Sequence, residues 1–326
     1  MQVTVLGAGA FGTALSVALC NAVEHVSLWS RNLDVVEELK SLRQNSAYLP
    51  GYSVPKKVDV YSDLSLSLNG STALLLCVPT QELRNLCNEI RDTKVLHGSI
   101  PVLVCSKGIE NNSLKLAGEV LAEVLPNPGF VLSGPALARE IVQNLPCAMV
   151  LAGNDLSMAE YLSRKLSSST LKIVSSGDYL GVQIGAVLKN VIAIACGIIT
   201  GKGLGYNAAT MVIVQGIAEI KAVCKSKSGH VSMDTITGLS CLGDLVLTCT
   251  SHRSRNMSFG LSIGQNNAIP QQSNLVEGVA SAHSVERLGK TLGIDLPVCN
   301  AISQLLQGHM TIDQVVERIL SSSFGN

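Results

Sequence analysis

The sequence predicts an α/β protein: a mostly parallel sheet domain over residues 1–178, followed by an all-α domain over residues 179–326. Three observations point there. Up to residue 174, short β-branched or continuously apolar runs alternate with helical stretches, the pattern of parallel strands buried on both faces. From residue 181 the apolar residues recur at helical spacing and the strand pattern largely disappears. Between the two lies Ser175-Ser176-Gly177-Asp178, a polar cluster suited to a boundary.

The first elements already imply a ligand. Residues 3–6 (VTVL) form a short strand, Gly7-Ala8-Gly9-Ala10-Phe11-Gly12 follows at once, and residues 13–19 read as a helix. This is G-x-G-x-x-G in the strand–turn–helix setting of a Rossmann-type dinucleotide site. In that setting Gly7 permits the tight turn, Gly9 lets backbone approach the pyrophosphate, and Gly12 lets helix and strand pack closely. The helix N-terminus offers N–H donors to the anion. The second strand, His25–Trp29, ends in Ser30-Arg31-Asn32 rather than in the acidic residue that binds a ribose 2′-OH. Arg31 can pair with a 2′-phosphate and stack on adenine, so the cofactor is NAD or NADP, with NADP(H) favoured.

A helix over 33–44 and a Pro/Gly/Tyr loop over 45–55 come next, then strands at 58–60, 72–78 and 101–105. Ligands bind outside the carboxyl ends of such strands, where Ser106-Lys107-Gly108 places Lys107 to meet an anionic substrate or a cofactor phosphate. A further strand over 129–132 runs into Ser133-Gly134-Pro135 and a helix start, and strands at 149–151 and 171–174 complete the sheet.

In the second half, 181–200 (GVQIGAVLKNVIAIACGIIT) is apolar all round, with Lys189 near its middle. A helix of this kind belongs inside a protein or a membrane. Desolvation there lowers a lysine pKa and fits it for general acid–base work near neutral pH. The stretch alone leaves open a snorkelling lysine or a membrane helix with one charge. Small residues on the Lys189 face suggest room beside it. Helical segments follow at 207–225, 236–249, 275–292 and 298–306, and a last one over 311–320 opens with a capping-box pattern of Thr311 and Gln314. Asp244 lies in an apolar run, where an unpaired carboxylate is costly, so it needs a cation; Lys189 is the economical partner. Ser254-Arg255-Asn256, with a helix following, combine a hydroxyl, a guanidinium fork, an amide and helix N–H groups, a set that suits a phosphate.

Composition narrows the classes. Lys+Arg 24 balance Asp+Glu 24 and aromatics make up 3%, so the chain lacks both the charge and the stacking platforms of a nucleic-acid binder. The 10 cysteines form no C-x-x-C pair and several lie in apolar runs, which fits a reducing compartment. The 6 histidines show no i,i+4 pair and no Cys/His cluster, so no metal is expected. The opening residues lack a basic n-region and are interrupted by Gly7, Gly9 and Gly12, unlike a signal peptide. The reading is a cytoplasmic protein without membrane insertion, with a homodimer left open.

Several motifs, VLGAGAFGTAL, CVPTQELR, CSKGIE, LSGPALARE, GVQIGAVLKNVIAIACGI, LGDLVLTCTSHRSRN and NLVEG, occur in order along the chain. Through them the chain resembles the soluble NAD(P)-dependent glycerol-3-phosphate dehydrogenases over nearly its full length. The resemblance implies interconversion of dihydroxyacetone phosphate, a small phosphorylated three-carbon substrate, and sn-glycerol 3-phosphate, feeding phospholipid synthesis. It implies Lys189 as catalytic proton donor and acceptor, and the mechanism expected from these residues has Asp244 orienting it. It implies substrate contacts from Lys107, Gly134, Asp244, Ser254, Arg255 and Asn256, with Asn190 and Thr248 as secondary candidates. Around the cofactor it points to Gly7, Gly9, Ala10, Phe11, Gly12, Arg31, Lys107, Ala138, Arg255, Leu275 and Glu277. The chain departs from the family pattern at Ala136, where a hydroxyl is usual and only backbone can serve the substrate, and at Arg139, Tyr206 and Gln215. The competing readings are a dehydrogenase for another small hydroxyacid and a non-enzymatic dinucleotide sensor.

Overall fold

The computed structural model describes residues 1–270 and 276–322. The chain divides into two compact units, Met1–Ser106 with Ala117–Tyr179, and Lys107–Leu116 with Leu180–Asn326.

The first unit is built on an eight-stranded sheet whose members, with a small separate hairpin, are β1 (Gln2–Leu6), β2 (His25–Trp29), β3 (Gln44–Asn45), β4 (Leu49–Ser53), β5 (Val58–Tyr61), β6 (Ala73–Leu76), β7 (Val102–Val104), β8 (Gly129–Ser133), β9 (Cys147–Gly153) and β10 (Leu171–Ser176). The large sheet runs β10-β9-β8-β7-β6-β1-β2-β5. All its neighbours are parallel except β8 and β9, so the β9–β10 edge runs against the rest. Helices α1 (Ala10–Leu19), α2 (Leu33–Ser41), α3 (Leu64–Leu68), α4 (Thr80–Thr93), α5 (Ala117–Val124), α6 (Ala138–Val142) and α7 (Leu156–Leu166) belong to this unit. The continuous apolar runs are central strands: Leu74, Leu75 and Leu76 of β6 and Val102, Leu103 and Val104 of β7 have no exposed surface, as strands covered on both faces must.

Local chemistry shifts some boundaries. The helix expected to reach residue 44 ends at Ser41, and 45–55 is no simple loop: β3 and β4 form an antiparallel hairpin there. The strand expected over 72–78 stops at Leu76, because Pro79 has no N–H to give a ladder and instead caps α4.

The second unit is helical: α8 (Tyr179–Gly201), α9 (Gly205–Ser228), α10 (Met233–Ile236), α11 (Asp244–Thr250), α12 (Arg255–Asn266), α13 (Glu277–Leu292), α14 (Pro297–Leu306) and α15 (Ile312–Ser321). Helices α8 and α9 are both long and apolar enough to cross a membrane, yet the apolar window of α8 is 100% buried in the protein, so its hydrophobicity is spent on the core. Two glycine pairs bring α12 against α8 at backbone distance. A Cβ on Gly260 would lie 2.0 Å from the Ile194 carbonyl oxygen, and one on Gly197 would lie 2.3 Å from that of Met257. Gly201 and Gly264 repeat the contact one turn on. The capping box at the start of α15 is present, with Thr311 N–H donating to Gln314 Oε1 and Gln314 N–H to Thr311 Oγ1.

The helix expected over 236–249 is instead three pieces: α10, a π-turn at Leu239–Gly243, and α11. Gly238 permits the first break, since a Cβ there would fall 2.4 Å from the Asp234 carbonyl oxygen. The wide turn puts Asp244 at the head of α11. Such single π-turns recur at functional sites.

Helix α9 carries a buried carboxylate, Glu219, which accepts hydrogen bonds from the N–H groups of Val298 (2.5 Å) and Cys299 (3.2 Å) in the first turn of α14. Burial pushes its carboxyl up to about 7, against hydrogen bonds that favour the charged form. A carboxyl raised in the folded state contributes stability that is full below about 4.5 and is lost as pH rises through about 7. The shift corresponds to about 3 kcal/mol. Urea midpoints are therefore expected to fall between pH 5 and pH 7, and Glu219→Gln to flatten that slope; an unchanged slope in the variant would place the titration elsewhere.

Candidate active site

In the first unit the glycine-rich turn has the geometry its sequence requires. Gly7 sits at φ +113°, where a Cβ would strike the Cys77 carbonyl oxygen at 2.6 Å, and a Cβ on Gly12 would lie 2.0 Å from the Gly7 carbonyl oxygen. The flank of Gly9 is open: nothing lies within 4 Å of where its Cβ would be, and the residue is the extended N-cap of α1. Ala10 and Phe11 form the first turn of α1, whose N–H groups have no partner within the helix. The turn therefore fits a dinucleotide pyrophosphate. Asn45, expected only as part of a loop, braces it: buried, it donates to the Ala8 carbonyl oxygen (2.9 Å) and to Thr13 Oγ1 (2.8 Å). That role is invisible in the sequence, since the hairpin that carries Asn45 is a tertiary feature.

Beyond β2, Ser30 Oγ and Asn32 Oδ1 are engaged in capping α2, and Arg31 reaches Glu82 of α4 at 3.0 Å. Gly134 follows β8 at φ +147°, where a Cβ would lie 3.0 Å from Met149 Cα. Ala136 is half-buried just before α6, and Ala138 is its first residue.

In the second unit, Asp244 is nearly sealed and lies between two ammonium groups. Lys189 Nζ is 3.0 Å from Oδ1 and Lys107 Nζ is 2.9 Å from Oδ2. Lys189 also donates to Thr248 Oγ1 (2.9 Å), which in turn donates to the Asp244 carbonyl oxygen one turn earlier in α11. Burial drives the Lys189 pKa down; Asp244 pulls it back only in part, and the charge of Lys107 lowers it further. Burial alone would raise Asp244, but the two lysines outweigh it and hold the carboxyl below its ordinary range. Two ammonium groups flank the one carboxylate of Asp244, and the carboxylate of Glu277 adds a second negative charge that also acts on Lys189. The pairing of Asp244 with Lys189 follows the expectation; that Lys107 shares the same carboxylate does not appear in the sequence, because 137 residues separate them.

A second network starts one residue along α8. Asn190 donates to Glu277 (3.1 Å), Asn256 donates to Asn190 Oδ1 (2.9 Å), and the N–H of Gly278 donates to Asn256 Oδ1 (2.8 Å). It ties the first turns of α12 and α13 to α8 beside Lys189. Ser254 is the N-cap of α12, accepting from the Met257 N–H at 3.2 Å, and Arg255 is exposed as the first residue of that helix. Leu275 lies outside the described residues. The small residues on the Lys189 face of α8, which suggest room for a substrate, are instead packed: a Cβ on Gly185 would be 3.2 Å from Cys241, and Cys196 is buried against the Ala209 carbonyl and Cys249. Small side chains there allow close helix approach.

Residues 2–159 match the family model for the NAD-dependent glycerol-3-phosphate dehydrogenase N-terminus, and residues 178–317 that for the C-terminus. The chain belongs to this family. It is 63% identical to a glycerol-3-phosphate dehydrogenase [NAD(P)+] of Anaplasma phagocytophilum (strain HZ), over 98% of this chain and 99% of that protein. To the protein of the same description in Anaplasma marginale (strain St. Maries) it is 56% identical, over 99% and 98%. The crystal structure of glycerol-3-phosphate dehydrogenase from Coxiella burnetii superposes with a TM-score of 0.91 at 33% identity, covering 98% of this chain and 99% of that one. Both halves of this glycerol-3-phosphate dehydrogenase family member are thus matched, the Rossmann-type sheet and the helical unit alike.

Proposed function

We infer that this protein interconverts dihydroxyacetone phosphate and sn-glycerol 3-phosphate with NAD(P)H, the reaction that feeds glycerophospholipid synthesis. The observation that carries the reading is the Lys189–Asp244–Lys107 centre: a buried lysine with a lowered pKa, held by a carboxylate that a second lysine shares. The domain assignment in this reading is nucleotide binding by residues 1–178 and substrate chemistry by 179–326. It further takes the protein as cytoplasmic.

When bound, the nicotinamide supplies the hydride to the substrate C2 carbon and takes it back in the reverse reaction. Lys189 moves the accompanying proton. Asp244 and Thr248 engage two of its N–H groups, which leaves the third for the C2 oxygen. Its lowered pKa makes the amine a readier proton donor than a solvated lysine, as acid–base catalysis requires. Asp244 orients the amine, and Lys107, through the other carboxylate oxygen, offsets the charge of that carboxylate. Arg255, the Ser254 hydroxyl, the Asn256 amide and the N–H groups at the head of α12 hold the substrate phosphate, so binding energy remote from C2 orients it. The Asn190–Asn256–Glu277 network fixes that helix end beside Lys189.

Arg255→Ala tests the phosphate grip. Removing one charge-assisted hydrogen bond to the phosphate is expected to raise KM for dihydroxyacetone phosphate ~10–100-fold, measured by NADH oxidation in steady state. An unchanged KM would remove Arg255 from the site.

A further inference from the structure

The Arg31–Glu82 ion pair has no part in the chemistry above, and its position is informative. Arg31 lies just beyond the carboxyl end of β2, and Glu82 lies in the first turn of α4, just beyond β6. In the sheet β1 runs between those two strands. Strands flanking a common neighbour are roughly 10 Å apart, so the 3.0 Å contact between Arg31 Nη1 and Glu82 Oε2 bridges the width of β1. It does so at the edge from which the Gly7–Gly12 turn departs, the side on which such folds bind dinucleotides. Capping of α2 occupies Ser30 Oγ and Asn32 Oδ1, so Arg31 is the cation that β2 presents there.

We propose that Glu82 is a cofactor-selectivity residue, acting through its hold on Arg31 to disfavour NADP(H) relative to NAD(H). This rests on the dinucleotide reading of the glycine-rich turn. Both partners are open to solvent, Arg31 at 52% and Glu82 at 43%, and such a pair is weak and exchanges readily. A ribose 2′-phosphate, with about two negative charges and three acceptor oxygens, is a stronger partner for a guanidinium than one carboxylate. NADP(H) therefore takes Arg31 from Glu82 and leaves a carboxylate facing a phosphate of like charge. NAD(H) brings no second anion, so the pair persists. Arg31 alone favours NADP(H); Glu82 opposes that preference and brings the two cofactors closer together. An acidic residue at the end of β2 is the familiar way to select NAD, and here the acid comes from the other side of β1.

The test compares wild type with Glu82→Gln, Glu82→Asp and Arg31→Ala, using Kd for NADPH and NADH from dinucleotide fluorescence and KM for each in steady state. Glu82→Gln is expected to tighten NADPH ~2–5-fold relative to NADH. The change should appear in Kd and KM rather than kcat and shrink as salt is raised. Glu82→Asp is expected to restore the wild-type ratio in part, and Arg31→Ala to weaken NADPH more than NADH. A ratio unmoved in Glu82→Gln, with both dinucleotides still bound, would overturn the selectivity role and leave the dinucleotide reading standing. Failure of wild type to bind either dinucleotide would overturn the reading itself, and the selectivity role with it.

Discussion

Replacing Lys189 with alanine is expected to lower kcat by at least ~10²–10⁴-fold, the range assigned to a positioned acid–base group, while Kd for NAD(P)H stays within about twofold, inside the usual error of additivity for separated sites. The split is diagnostic because Lys189 belongs to the helical unit and the glycine-rich turn to the other. The variant should fold: Asp244 keeps its ion pair with Lys107, so no buried carboxylate is stranded. Single-turnover NADH oxidation with dihydroxyacetone phosphate, beside dinucleotide titration, gives both numbers. Near-normal turnover would remove Lys189 from the chemistry.

Asp244→Asn carries the second-largest expected effect and reads the electrostatics directly. Wild-type Asp244 is the chief group raising the Lys189 pKa, against desolvation and the charge of Lys107, which both lower it. Without the carboxylate the amine titrates lower still. The limb of the kcat–pH profile that belongs to Lys189 should move to lower pH, and kcat for reduction, which needs the protonated amine, should fall on the alkaline side of the shifted limb, ~10-fold for each pKa unit moved. Breaking a buried pair also costs roughly 3–5 kcal/mol of stability, so the denaturant midpoint is measured alongside. A limb that stays in place, in a variant that remains folded, would show that Asp244 does not govern the Lys189 proton.

Much of this was legible in residue order because the physics is local. A strand, three glycines at fixed spacing and a helix start within the first twenty residues specify a turn that only glycine can make, and Gly7 at φ +113° is its realisation. The buried lysine was legible for a similar reason: 181–200 has no polar face, so any helix through Lys189 must bury it. Two things misled. Small residues around Lys189 look like space, and only packing shows Cys241, Cys249 and the Ala209 carbonyl filling it. The apolar periodicity over 236–249 looks like one helix, and only the fold shows the break that Gly238 permits and the π-turn that delivers Asp244 at a helix head.

By itself the sequence determined the fold class, the glycine-rich turn and the burial of Lys189, since each depends on periodicity or on conformations that few residues can adopt. The tertiary structure decided which charges meet. Lys107 and Asp244 are 137 residues apart and Arg31 and Glu82 are 51 apart. Coulomb attraction acts over a few ångströms whatever the chain length between partners, so periodicity and local spacing could not pair them.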